Sequence, residues 1–229
     1  MTFEDYKTKD SVVVVYTGES KGKTSASVGL MARALGNRWK VAYIQFIKYW
    51  GVGEHVFIRD IMPIYEESLF FHKGGKGFYN AGDLSEQHVS EEQHKEAALE
   101  TYNIALECAS SGDYDLVICD EINNAVHDGL LTEDQLQALL EGHSPKTSLC
   151  LTGRDFPEKF LGQVDIATNM TKIKHHFDDK FLANKGIDFW WARGEQPDKK
   201  SRLFAGAMRG DIPLSWFVIS MTNSSQIKG

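Results

Sequence analysis

Four consecutive valines, Val12 to Val15, run directly into a glycine- and lysine-rich segment at residues 18–24. This junction constrains the fold more than any other feature of the chain. An apolar β-branched run suits a strand buried on both faces. Small residues after it let backbone N–H groups turn inward toward an anion. A helical stretch from about Lys23 to Leu35 then aims its positive end at the same point, with Gly36 as a natural residue to stop it. Strand, loop and helix in this order have the mechanics of a Walker A phosphate loop. Lys23 offers a point charge to phosphates and Thr24 a hydroxyl to Mg²⁺, so ATP with a divalent metal is the implied ligand. Three residues separate Gly18 from Gly22, one fewer than in the common spacing.

The rest of the chain alternates strand-like and helix-like segments. Strands are expected at residues 41–47, 114–119, 147–152, 164–168 and 187–191, with a weaker one at 61–65. Helices are expected at residues 84–111, with Ser90 as candidate cap, and 132–140, capped by Thr132. The apolar runs lack strict polar alternation. They therefore indicate a mostly parallel sheet covered by helices on both faces, an α/β fold. Residues 70–83 combine glycines with aromatic side chains and read as a loop that orders around a ligand. Residues 1–193 are expected to form one domain. Residues 194–229 are expected to be a C-terminal extension packed on that domain or on a partner subunit.

A formal net charge of −7 over 229 residues argues against a general nucleic-acid or anionic-membrane binder, because phosphate backbones are held by surplus Lys and Arg. Cys108, Cys119 and Cys150 form no close pair and read as buried thiols. The first ten residues are polar and mixed in charge, and no apolar run approaches the ~20 residues of a membrane span. A cytoplasmic protein is expected.

Asp120 and Glu121 end the apolar strand at residues 114–119, where a Walker B acid lies beside the phosphate loop in such folds. Thr152, Gly153 and Arg154 end the following strand, which gives Arg154 a route to the same place. By themselves these residues leave open an ATPase or small-molecule kinase, with Glu54, Asp83 or Glu121 as the acid, or a non-catalytic nucleotide-binding protein. Adjacent His175 and His176, if extended, point to opposite faces and make a poor metal pair.

Taken together, the short phosphate loop, Gln45-Phe46-Ile47-Lys48, Gly53-Glu54, Asp120-Glu121, Thr152-Gly153-Arg154, Lys174-His175 and Gly186-Ile187-Asp188 resemble the P-loop type of ATP:corrinoid adenosyltransferase. The resemblance implies a RecA-like fold, a homodimer, an electron-donating reductase, and transfer of the 5′-deoxyadenosyl group of ATP to the cobalt of a reduced corrinoid. It implies that Gly18, Glu19, Ser20, Lys21, Gly22, Lys23, Thr24 and Ser25 cradle the triphosphate. Thr24, Glu121 and Asp120 would stand at Mg²⁺, and Arg33 and Arg154 near the nucleotide. Lys23 would act catalytically, and Phe78 with Tyr79 would keep the lower face of the cobalt free of a ligand. Glu19 and Ser20 stand where the family usually has asparagine and glycine. A carboxylate there is unfavourable beside phosphates unless it points outward or meets Mg²⁺.

Overall fold

The computed structural model describes residues 4–48, 52–77 and 89–188. Among these, the elements in chain order are β1 (Val13–Thr17), α1 (Lys23–Gly36), β2 (Val41–Gln45), α2 (Gly53–Ile61), β3 (Leu69–Lys73), α3 (Glu91–Ser111), β4 (Leu116–Asp120), α4 (Ile122–His127), α5 (Glu133–Gly142), β5 (Ser148–Thr152) and β6 (Ile166–Asn169). All six strands are parallel, in the order β3-β2-β4-β5-β1-β6. The parallel sheet with helices on both faces is the α/β architecture expected from the sequence. One strand, β5, separates the phosphate-loop strand β1 from the acid strand β4. The carboxyl ends of all three therefore open along one edge, where parallel α/β sheets bind ligands.

The two-residue period of the strands feeds two cores. Val13, Val15, Ala42, Ile44, Val117, Cys119, Leu149 and Leu151 face α3 and α5. Val41, Tyr43, Leu116, Ile118 and Cys150 face Met31, Ala34 and Leu35 of α1 and Ile58 of α2. Each fully buried aliphatic side chain contributes about 1.5–3 kcal/mol of transfer free energy. The central strands β2, β4 and β5 are buried along their whole lengths, as strands covered on both faces must be. The three cysteines are buried and unpaired, as expected.

Two helix starts follow their sequence signals closely. Ser90 accepts from the Gln93 amide while the Gln93 side chain accepts from the Ser90 amide, and Thr132 with Gln135 repeats the arrangement. The expected helix at 84–111 therefore begins at Glu91, and residues 84–88 lie outside the described ones. Other boundaries move. Residues 61–65 are not a strand: His55 and Ile58 bury one face of α2, Ile61 ends it, and Pro63 follows in a turn where it need not donate to a ladder. The third strand is Leu69–Lys73 instead, so residues 70–73 are edge strand rather than loop. Gly36 stays within α1, and Arg38 takes the left-handed backbone beyond the helix end, with φ 67°. The strand expected at 164–168 is Ile166–Asn169, an exposed sheet edge. Of the strand expected at 187–191, Ile187 and Asp188 lie in a turn, and its remainder, like the extension expected at 194–229, lies outside the described residues. The helices α2 and α4 had no counterpart in the sequence reading. No helix among the described residues is long and apolar enough to cross a membrane.

Candidate functional site

The phosphate loop turns on two left-handed glycines, Gly18 at φ 103° and Gly22 at φ 112°. A Cβ on Gly18 would stand 2.2 Å from Asn169 Oδ1 and 2.6 Å from the Met170 carbonyl oxygen, so only glycine lets the loop lie against the end of β6. The Ser20 amide donates to that same carbonyl at 3.0 Å. Gly22 is the N-cap of α1 and offers no side-chain cap, so the first-turn amides and the positive end of the helix dipole face the loop. The Lys23 ammonium bridges the loop from inside, donating to the carbonyl oxygens of Gly18 at 2.6 Å and Ser20 at 2.7 Å. Burial, and then the nearby Arg154 guanidinium, lowers the Lys23 pKa.

The residues assigned to the loop divide by exposure. Glu19 and Ser25 are exposed, whereas Ser20, Lys21, Lys23 and Thr24 are partly covered. Glu19 points outward, its carboxylate 3.4 Å from Arg154 Nε, which answers the sequence-level difficulty of a carboxylate in this loop. Lys21 reaches across to the Asp188 carbonyl at 3.4 Å. Arg33 is exposed in the last turn of α1, about 15 Å along the helix from Lys23. The structure does not bring it to the phosphate loop. Phe78 and Tyr79 lie outside the described residues.

On the acid side, Asp120 is fully buried at the end of β4. Its Oδ1 accepts from the Thr152 hydroxyl at 2.6 Å and from Ser27 at 3.4 Å, and its Oδ2 accepts from Thr24 at 3.2 Å. Thr152 in turn accepts from the Glu121 amide at 2.9 Å, so one hydroxyl orients both members of the acidic pair. Glu121 occupies a left-handed backbone position, φ 66°, as the N-cap of α4. Burial raises its pKa, against the opposing influence of Lys48. Gly153 continues β5 with φ 135° and lets the chain pass Asn124, whose side-chain oxygen accepts from the Arg154 amide at 2.8 Å.

Lys48 carries no expected role beyond its motif, yet its ammonium sits in the middle of this cluster. Nζ is 3.0 Å from Thr24 Oγ1, 3.1 Å from Glu54 Oε1, 3.5 Å from Glu121 Oε1 and 3.6 Å from Asp120 Oδ2. Burial opposes the charge on Lys48, but the surrounding carboxylates of Glu121, Asp120 and Glu54 outweigh it and raise the pKa. Ser27 also went unnoticed. A signal was present, since residues three apart on a helix share a face and Thr24 already pointed at the acid strand.

The histidine pair departs from the sequence reading. His176 opens a short 3-10 helix, so the two rings do not diverge: their centroids are 4.7 Å apart, and their Nε2 atoms lie 3.6 and 3.4 Å from Asp188 Oδ2. Three side chains able to bind a metal thus converge, but the hydrogen bonds assign the protons otherwise. His175 Nδ1 accepts from the Phe177 amide at 3.1 Å, and His176 Nε2 lies 3.1 Å from the Leu182 carbonyl. Both Nε2 atoms therefore carry hydrogen and act as donors.

A glycine-turned loop at a helix start, a lysine inside it, and a threonine–aspartate contact across to the neighbouring acid strand define a P-loop nucleotide-binding protein. Comparison with known proteins narrows this. The profile of the family described as ATP:corrinoid adenosyltransferase BtuR/CobO/CobP matches residues 9–189, and the chain belongs to that family. It is similar to the corrinoid adenosyltransferase of Pseudomonas aeruginosa, with 31% identity over 179 residues, 78% of this chain and 83% of that protein. The corrinoid adenosyltransferase of Escherichia coli K12 is likewise 31% identical over 180 residues, 78% of this chain and 85% of that protein. Among solved structures, the flagellar accessory protein FlaH of Methanocaldococcus jannaschii aligns with a TM-score of 0.46 and 14% identity, covering 70% of this chain and 71% of that one.

Proposed function

We propose that this protein transfers the 5′-deoxyadenosyl group of ATP to the cobalt of a reduced corrinoid and releases triphosphate. The observation that carries the reading is the family match across residues 9–189, a span that includes the phosphate loop, the acidic pair and Arg154. In the reaction, Co(I) donates an electron pair to C5′, and the bond from C5′ to its oxygen breaks. That electron pair leaves with the triphosphate. Because the cobalt is itself the nucleophile, no side-chain base is required. The site agrees, since Asp120 is tied to Thr152, and Glu54 and Glu121 face an ammonium. The task left to the protein is to orient C5′ and to stabilise the charge that develops on the leaving group.

In this reading the loop amides from Gly18 to Ser25 and the Lys23 ammonium hold the triphosphate. Thr24, Asp120 and Glu121 would hold Mg²⁺. Their hydroxyl and carboxylate oxygens suit a hard cation, and Thr24 Oγ1 lies 3.2 Å from Asp120 Oδ2, near the ~2.9 Å between adjacent ligands of a magnesium octahedron. When bound, Mg²⁺ supplies positive charge against the departing phosphate oxygens. Arg154, which meets the loop through Glu19, is assigned to the nucleotide, as is Arg33. Phe78 and Tyr79 are assigned to the lower face of the corrinoid. A cytoplasmic homodimer served by a separate electron-donating reductase completes the proposal.

The products test it. Incubation with Mg·ATP and chemically reduced cobalamin, followed by phosphorus NMR, should show tripolyphosphate. ADP and orthophosphate would instead assign the site to an ATPase or a kinase.

A further inference from the structure

We propose that Lys48 is a built-in counter-ion of the acidic cluster, holding the magnesium position in the metal-free protein and being displaced when magnesium arrives. The inference rests on the proposed metal role of Thr24, Asp120 and Glu121. It goes further by giving the same oxygens two alternating cations.

The argument starts from charge. Glu54, Asp120 and Glu121 bring three carboxylates around one point, and Asp120 is fully buried. Buried like charges need a cation in both states of the enzyme, not only in the loaded one. Lys48 meets that need: the residue is 7% exposed, and its nitrogen lies within 3.6 Å of oxygens from all three acids and within 3.0 Å of Thr24 Oγ1. It arrives on the segment that follows β2, while its partners come from α1, α2 and the end of β4.

The geometry then sets up a competition. Magnesium requires ligands at about 2.0–2.1 Å. An ion bonded to Thr24 Oγ1 would therefore lie within about 5 Å of the ammonium by distance alone, where a double and a single positive charge repel strongly. The ammonium also occupies one of the two lone pairs of the Thr24 hydroxyl, the oxygen the metal would bond. Binding of the metal is thus an exchange in which the ammonium keeps its proton and moves aside. The displaced ammonium starts beside Thr24 and so beside the triphosphate, where its charge remains useful. Metal-free protein is kept folded by the lysine, and the metal must outcompete it.

The experiment uses Mn²⁺ as a spectroscopic substitute for magnesium. Mn²⁺ is titrated into nucleotide-free wild type, Lys48→Met and Asp120→Asn, with the free ion read by electron paramagnetic resonance and thermal unfolding followed in parallel. Losing one nearby positive charge should tighten Mn²⁺ binding by at least about tenfold in Lys48→Met. The same variant should melt lower than wild type without metal and recover most of the difference with it. Uptake by both proteins with equal or weaker affinity in Lys48→Met would overturn the inference alone. Absence of uptake, or uptake unaffected by Asp120→Asn, would overturn the metal-site reading and the inference with it. If Lys48→Met fails to fold without metal, folding in excess magnesium supports the proposal, and failure there too overturns it.

Discussion

Thr152→Val removes one hydroxyl and tests how the acidic pair is held. Valine matches threonine in shape, so the variant opens no cavity in β5. What it loses is a 2.6 Å bond to the buried Asp120 carboxylate and a 2.9 Å bond from the Glu121 amide. A hydrogen bond to a charged group contributes about 1.5–3 kcal/mol, and a buried donor left unpaired costs about 1–3 kcal/mol. Asp120 retains Thr24, Ser27 and Lys48 as partners, and the Glu121 amide is only partly shielded from water. The loss should therefore be about 2–4 kcal/mol. Urea unfolding of metal-free protein measures it as a lower midpoint at unchanged slope. Thr152→Ser, which keeps the hydroxyl, should recover most of the loss. A change below about 1 kcal/mol in Thr152→Val would refute the reasoning, because neither bond would then be holding a buried charge in place.

Lys23→Ala should weaken ATP binding by at least about tenfold in calorimetry, since one charge-assisted contact contributes on that scale. Gly153→Ala should lower stability by about 2–4 kcal/mol in thermal unfolding, because a Cβ at φ 135° would meet Asn124 Oδ1 at 2.5 Å and Asn123 Cβ at 2.8 Å. His55 is buried beside Phe71, and burial lowers its pKa from 6.5 to about 4. The unfolded chain therefore takes up a proton that the folded chain refuses. That share of stability is complete above pH 6.5 and is lost as pH falls toward about 4. Stability measured across that window should slope less in His55→Gln. Phe78→Ala should slow reaction with base-on cobalamin while leaving ATP affinity within about twofold, and an equal loss of both would remove its assignment to the corrinoid face.

What the sequence disclosed depended on how local each signal was. The valine strand, the glycine–lysine loop and the two capping boxes at Ser90 and Thr132 are written within a few residues, and each was legible. The edge strand Leu69–Lys73 was not, because its apolar residues merge with the glycine-rich stretch behind it and residues 61–65 looked equally suitable. Gly36 marked the helix end correctly, but the left-handed turn falls on Arg38, against the ordinary preference for glycine. Within the site, Thr24, Asp120 and Glu121 could be named from their motifs. The central place of Lys48 could not, since its partners Glu54, Asp120 and Glu121 come from separate segments that only the sheet order brings together. The convergence of His175 and His176 on Asp188 was missed because a single helical turn replaced the extended backbone assumed for them.

The central claim concerns which atom of ATP reacts. ATP carrying carbon-13 at C5′, incubated with the protein, magnesium and chemically reduced cobalamin, reports this directly by NMR. The account predicts that the label moves onto cobalt, as a carbon resonance that disappears on exposure to light, with unlabelled tripolyphosphate released alongside. Label retained in ADP or AMP, with the corrinoid unchanged, would contradict it.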